Sequence, residues 1–260
     1  MSVPRSLPGL LQIIAVAIFS ISPGTSSGQP TPRIAIIIDD LGYQFEAGMR
    51  ALNLPGPISY AVLPATPSGM SLAHAAHAQG KEVLLHLPLE SVDRENLDEP
   101  GAITLDMNRD AFHVAFGAAL ESVPYAIGVS SHRGSLLTRH PGHMAWLMEE
   151  IAAHEGMFFV DSFTTHESVA MQIASESGVA ATRRHVFLDN DRSEGALRKE
   201  FDRLTALARS KGVAVAIGHP YPETLQFLER ELLELDSSTI MLIPVSQALN
   251  FVEPDANNKL

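Results

Sequence analysis

Asp39 and Asp40 stand side by side near the end of "RIAIIIDDLGY", residues 33–43. The aliphatic run Ile34–Ile38 before them reads as a buried strand, and ionised groups are almost never fully buried unless paired or bound to something. Successive strand residues point to opposite faces, so in a regular strand the two carboxylates divide their labour. One can bind a cation while its neighbour takes a proton from a water that the cation has made acidic. Other imidazoles and carboxylates fall at comparable places: His86 in "EVLLHLPLE" with Glu90 beyond it, His132 in "AIGVSSHRGS", Asp161 in "MFFVDS", Asp189 in "HVFLDN" and His219 in "VAVAIGHPYPE". Two histidines and one carboxylate form a common ligand set for a catalytic divalent metal with an open position. Pro220 and Pro222 stiffen the turn around His219, which suits a histidine held in fixed orientation as a general acid.

Simpler roles compete for some of these residues. Asp189 leads into "NDRSEGALRKE" and Asp161 into "SFTTHES", where an Asp commonly caps a helix or orders a turn. The aromatic strand before Asp161 also suits a pocket wall. His74 and His77 share a helix face, which resembles a metal pair. Their helix precedes the third strand, however, and so points them away from the strand ends. With no cysteine, disulfides, thiolate metal sites and Cys nucleophiles are ruled out. No G-x-S-x-G elbow is present, and adjacent carboxylates on one strand tip cannot flank a glycosidic bond at the separation hydrolysis needs.

The elements that must position these groups alternate regularly. Strand-length apolar runs are expected at 34–38, 58–63, 82–87, 125–130, 157–161, 185–189, 213–218 and 240–245. Most are near-continuous, as strands buried on both faces should be. Between them lie helical patterns, such as Leu197, Phe201, Leu204 and Ala208, or Leu225, Leu228 and Leu232. Phe112, Phe116 and Ala119 form another, with Asn108 as its N-cap. The expected class is therefore α/β: parallel strands in a distorted (β/α)7-8 barrel, as a single domain. An open doubly wound sheet is the rival, weakened by the lack of a dinucleotide fingerprint after the first strand. In such barrels catalytic groups gather at the C-terminal strand ends. Six of the expected strands place an imidazole or carboxylate there. The long connection "SVDRENLDEPGAITLDMN", 91–108, is expected to cover one face.

Composition sets the outer bounds. The 260 residues are 45% hydrophobic and 18% charged, ordinary for a globular protein. A formal net charge of −12 with no clustered Lys/Arg footprint along the chain argues against nucleic acid. That balance gives no help in attracting acidic substrates either. Arg5, the apolar stretch 10–21 and the small and Pro-rich residues after it read as an export signal over 1–28. Residues 29–32 follow as a linker. An uncleaved anchor is the alternative, although the stretch is short for a transmembrane helix. Cleavage removes Arg5 and takes the net charge from −12 to −13. The expected location is periplasmic or secreted, without stable membrane insertion once the signal is cleaved.

The blocks "IAIIIDDLG", "EVLLHLPLE", "FFVDS", "VFLDN" and "AIGHPYPETL", in this order, resemble the divergent polysaccharide deacetylase family, a branch of the carbohydrate esterases (the NodB-like deacetylases). The resemblance spans residues 33–252, leaving 253–260 as a tail. It implies an exported enzyme on a distorted barrel that removes N-acetyl or similar acyl groups from acetylated polysaccharide or oligosaccharide. It also implies one divalent ion, with zinc favoured and manganese, nickel or cobalt as alternatives. By the same resemblance Asp39 is the general base, Asp40 a metal ligand and His219 the general acid. The family's usual H-x-x-x-H pair is missing, so His86 would be joined by His132 from the next strand. Around His132 the pattern departs further, with Ser130, Ser131 and Arg133 where two Asn and a Met are expected. Arg133 would steady an anionic intermediate or form a salt bridge at the rim, and Glu90, Asp161 and Asp189 would line or support the site. These departures leave room for another reading, an inactive glycan-binding or envelope-scaffold protein on the same barrel.

Overall fold

The computed structural model describes Met1, residues 31–93 and residues 98–249. The expected export signal and C-terminal tail lie outside the described residues, Met1 apart. The chain from Thr31 onward forms one unit. Its strands are β1 (Arg33–Leu41), β2 (Ser59–Val62), β3 (Glu82–Leu89), β4 (Ala126–Arg133), β5 (Phe158–Asp161), β6 (Ala181–Arg183), β7 (Val186–Phe187), β8 (Val213–Gly218) and β9 (Met241–Ile243). Its helices are α1 (Phe45–Leu52), α2 (Gly69–Ala78), α3 (Arg109–Glu121), α4 (Pro141–Ala152), α5 (Ala170–Glu176), α6 (Glu194–Lys211) and α7 (Pro222–Glu234). Asn108 caps α3 as expected, its side chain accepting from the Ala111 amide at 2.9 Å.

Every strand pairing is parallel, and the sheet runs β6-β5-β4-β3-β2-β1-β8-β7. It curls into the expected distorted barrel. The first half of β1 pairs with β9 and the second half with β2, so these two share one lane. The strand expected at 185–189 shortens to β7, and an unexpected short strand, β6, precedes it, because the chain crosses there between the sheet's edges. β6 pairs with β5, the Arg184 amide donates to Asp161, the His185 amide donates to Val215, and β7 pairs with β8. One segment thus links the two edges, and neither short strand has a neighbour on both sides.

The apolar runs are continuous because both strand faces are buried. Ala35 and Ile37 of β1 face inward with Leu84, Phe158, Val160, Val215 and Ile217. Ile34, Ile36 and Ile38 face outward under the helices. Alternation therefore assigns later residues to a face: Asp39, His86, His132, Asp189 and His219 continue the inward set, whereas Asp161 continues the outward one.

β1 ends in a bulge. Ile38 pairs with Tyr60 and Leu41 with Val62, so three steps on β1 match two on β2. Within it Asp40 takes a left-handed conformation, φ 60°. Gly42 follows at φ 140°, where a Cβ would lie 2.1 Å from Thr66 Oγ1. Thr66 is fixed by donating to the Leu63 carbonyl at 2.8 Å. Gly42→Ala is accordingly expected to lower the unfolding free energy by about 1–3 kcal/mol in urea titration. A loss below about 0.5 kcal/mol would show that the turn after the bulge yields freely.

Candidate metal centre

The bulge and left-handed turn bring Asp40 round to the side that Asp39 already faces, so both carboxylates meet one imidazole. His86 Nε2 lies 3.5 Å from Asp39 Oδ2 and 3.2 Å from Asp40 Oδ1. The division of faces expected of a regular strand does not hold, because this strand end is irregular. His132 enters from the next strand. Register sets Ser130 beside His86 and His132 beside Pro88, so His132 sits one pleat repeat beyond His86 on the same face. Its Nδ1 is 3.0 Å from Asp40 Oδ1 and 3.1 Å from His86 Nε2.

Asp40 Oδ1, His86 Nε2 and His132 Nδ1 thus form a triangle with sides of 3.0, 3.1 and 3.2 Å. Donors held tetrahedrally around zinc at roughly 2.0–2.1 Å lie about 3.3 Å apart, so this set fits a divalent cation with little movement. Hydrogen bonding among themselves does not satisfy these groups. Asp40 Oδ1, Asp39 Oδ1 and His86 Nδ1 are buried without a well-aimed partner. Among the described residues this is the cluster of His, Asp and Glu whose donors converge closely enough to hold an ion.

Surrounding groups tune the centre. Burial pushes the Asp39 carboxyl above the usual carboxylate range, against the pull of His86 and His219. Burial opposes ionisation of Asp40 too, but the adjoining His132 and His86 imidazoles hold it well below that range. Ile38 pairs with Gly218, so Asp39 and His219 come next on neighbouring strands. His219 Nε2 faces Asp40 Oδ2 at 3.8 Å, while Nδ1 is 2.9 Å from Asp189 Oδ1. Asp189 Oδ2 accepts from the His219 amide at 2.7 Å and from Thr224 at 2.9 Å. Burial works against a charge on His219, yet Asp189 raises its pKa. Asp189 therefore orients His219, and the cap position of α6 belongs to Ser193.

Other expected residues serve elsewhere. Asp161, of outward parity, orders the turn after β5 by accepting from the Phe163 amide at 2.8 Å and Ser168 Oγ at 2.7 Å. Glu90 accepts from the Leu105 amide at 2.8 Å and so ties down the long connection. Arg133, left-handed at φ 55°, pairs through Nε with Glu99 at 3.4 Å, the rim salt bridge foreseen as its alternative role. His74 and His77 are exposed and pack on Tyr125, away from the centre.

Glu99 itself was not foreseen. It comes from the 91–108 connection, and its Oε2 lies 3.1 Å from His132 Nε2. No local pattern marks it, since it is one of several acids in that stretch. Arg184 was also missed. It donates from Nε to the Ser162 carbonyl at 2.6 Å and from Nη2 to the Phe163 carbonyl at 3.0 Å. Its charge is felt by Asp39 and Asp161.

Comparisons with known proteins agree with this architecture. A family model described as divergent polysaccharide deacetylase matches residues 36–249. YibQ, an uncharacterized protein of Escherichia coli K12, is 35% identical over 225 residues, covering 86% of this chain and 70% of YibQ. An uncharacterized protein of Haemophilus influenzae is 34% identical over 218 residues, covering 84% of this chain and 77% of its own length. The crystal structure of an uncharacterized Agrobacterium tumefaciens C58 protein superposes with a TM-score of 0.80 at 20% identity, covering 85% of this chain and 91% of that one, which shows a shared fold. The chain belongs to the divergent polysaccharide deacetylase family.

Burial alone would lower the pKa of His132, but Asp40 and Glu99 on its two nitrogens push it up to about 9. In NMR titration with a chelator present, Glu99→Gln is expected to lower the His132 midpoint by about one pH unit or more. An unchanged midpoint would mean that Glu99 does not act on this imidazole.

Proposed function

We propose that this chain is an exported, metal-dependent carbohydrate deacetylase that hydrolyses N-acetyl or similar acyl groups on a polysaccharide or oligosaccharide. The observation that carries the reading is the convergence of Asp40, His86 and His132 beside two further ionisable groups, Asp39 and His219. Family membership and the barrel support it. The apolar stretch after Arg5 supports export to the periplasm or beyond. Among the described residues no helix is long and apolar enough to cross a membrane.

Asp40, His86 and His132 would hold the cation, with zinc favoured and manganese, nickel or cobalt as alternatives. When bound, it supplies Lewis acidity, polarising the acyl carbonyl and lowering the pKa of a water. The rest falls to the chain. Asp39 is 2% exposed, with one oxygen unsatisfied and its proton affinity raised by burial, the condition of a carboxylate suited to general-base work. It takes the proton of the attacking water. Asp189 accepts a hydrogen bond from His219 Nδ1–H, leaving Nε2 to carry the proton that the departing amine needs. Glu99 keeps His132 turned with Nδ1 toward Asp40 and Nε2 toward the connection. Arg184 adds positive charge near Asp39, which limits the rise in its proton affinity.

The test is acetate release from acetylated oligosaccharides by the zinc-loaded chain. Asp39→Asn is expected to lower turnover by about 10²–10⁴-fold while keeping one equivalent of bound metal. His86→Ala is expected to lose both metal and turnover. Metal binding with no acetate release under any divalent ion would favour the inactive glycan-binding reading. Release that survives Asp39→Asn would remove the assigned base.

A further inference from the structure

A cleft of about 880 Å3 lies beside the metal centre rather than over it. It opens along the flank where the sheet's two edges are linked by the Ala181–Phe187 segment, between that segment, the turn after β5 and one face of α6. Its volume is in the range of ligand sites. Its charge is unlike that of the chain. Arg183, Arg184, Lys199, Arg203 and Lys211 line it, against two carboxylates, Asp191 and Glu200. Glu200 is already paired with Arg203 at 3.1 Å. A net positive cleft on a protein of formal charge −12 concentrates anions at one place.

The cationic groups are also held in place. The Arg183 guanidinium stacks 4.9 Å from the Phe163 ring and that of Arg184 4.8 Å from the Phe187 ring. Lys199 and Arg203 stand one turn apart on α6, a like-charge spacing that Glu200 offsets on the Arg203 side. The cleft also meets the centre. Phe187 is shared, its ring 5.2 Å from that of His219, and Arg184 acts electrostatically on Asp39.

We propose that this cleft binds the acidic groups, carboxylates or phosphate esters, of an anionic glycan whose acylated sugar sits between Asp39 and His219. The inference rests on the deacetylase reading and narrows its substrate to acidic glycans. Sequence alone pointed the other way, because the five cations are scattered over residues 183–211 and gather only through the fold.

The experiment is calorimetric binding to the zinc-loaded full chain carrying Asp39→Asn, so that no turnover intervenes. The probes are a galacturonate hexamer, a neutral N-acetylglucosamine hexamer and inorganic pyrophosphate. The uronate hexamer is expected to bind about tenfold tighter than the neutral one, and to weaken steeply between about 50 and 200 mM salt. Adding Lys199→Glu and Arg203→Glu, both exposed, is expected to cost about tenfold for the uronate and to leave the neutral hexamer unchanged. Competition by pyrophosphate would assign phosphate esters to the cleft, and its absence uronates; either outcome supports the proposal. Equal affinity for the two hexamers, or no effect of the charge reversals, would overturn it. Acetate release by the parent chain is read separately, so failure of the deacetylase reading cannot be mistaken for failure of the cleft.

Discussion

The site depends on one backbone irregularity, the bulge at the end of β1. A straight strand would send Asp39 into the barrel and Asp40 out under the helices. The extra residue and the left-handed turn at Asp40 fold the second carboxylate back, so that both reach His86. Asp tolerates that conformation better than most residues because its short side chain can bond locally, but it still costs on the order of 1 kcal/mol. Gly42 and Thr66 fix the turn that follows. The strained residue is therefore also the one at which three donor atoms meet.

Electrostatics explains how so many ionisable groups share one buried place. Asp39, His86 and Asp189 are each less than 5% exposed, so their charges cannot rely on water. Two of the imidazoles have a carboxylate on the far side: Asp189 behind His219, and Glu99 behind His132. These outer carboxylates fix ring orientation and leave the inner nitrogens facing Asp40. Burial raises the pKa of Asp39, while Asp189 raises that of His219 against its burial.

Much of this was legible in the sequence, since eight apolar runs, six of them ending in an imidazole or carboxylate, specify a parallel barrel and the rim where these groups collect. Counting residues along each strand goes further. Asp39, His86, His132, Asp189 and His219 share the parity of the inward apolar positions, and Asp161 does not. With the inward parity fixed by the structure, that count sets Asp161 aside. The same rule misplaces Asp40, because nothing in "IDDLG" beyond the glycine announces a bulge. Glu99 was illegible for a different reason: it reaches His132 across 33 residues from a connection holding several acids. The crossing at Arg184 and His185 was hidden too, because a change of pairing partner midway along a segment leaves no mark of its own in residue type.

That a cation belongs at the bulge is the claim on which the catalytic account stands. The most direct measurement is X-ray absorption at the zinc edge of the full chain loaded with one equivalent of zinc, compared with His132→Ala. The account requires two imidazole nitrogens and one carboxylate oxygen at about 2.0–2.1 Å, with one imidazole lost in the variant. A zinc shell of water oxygens alone, or one that His132→Ala leaves untouched, would contradict it.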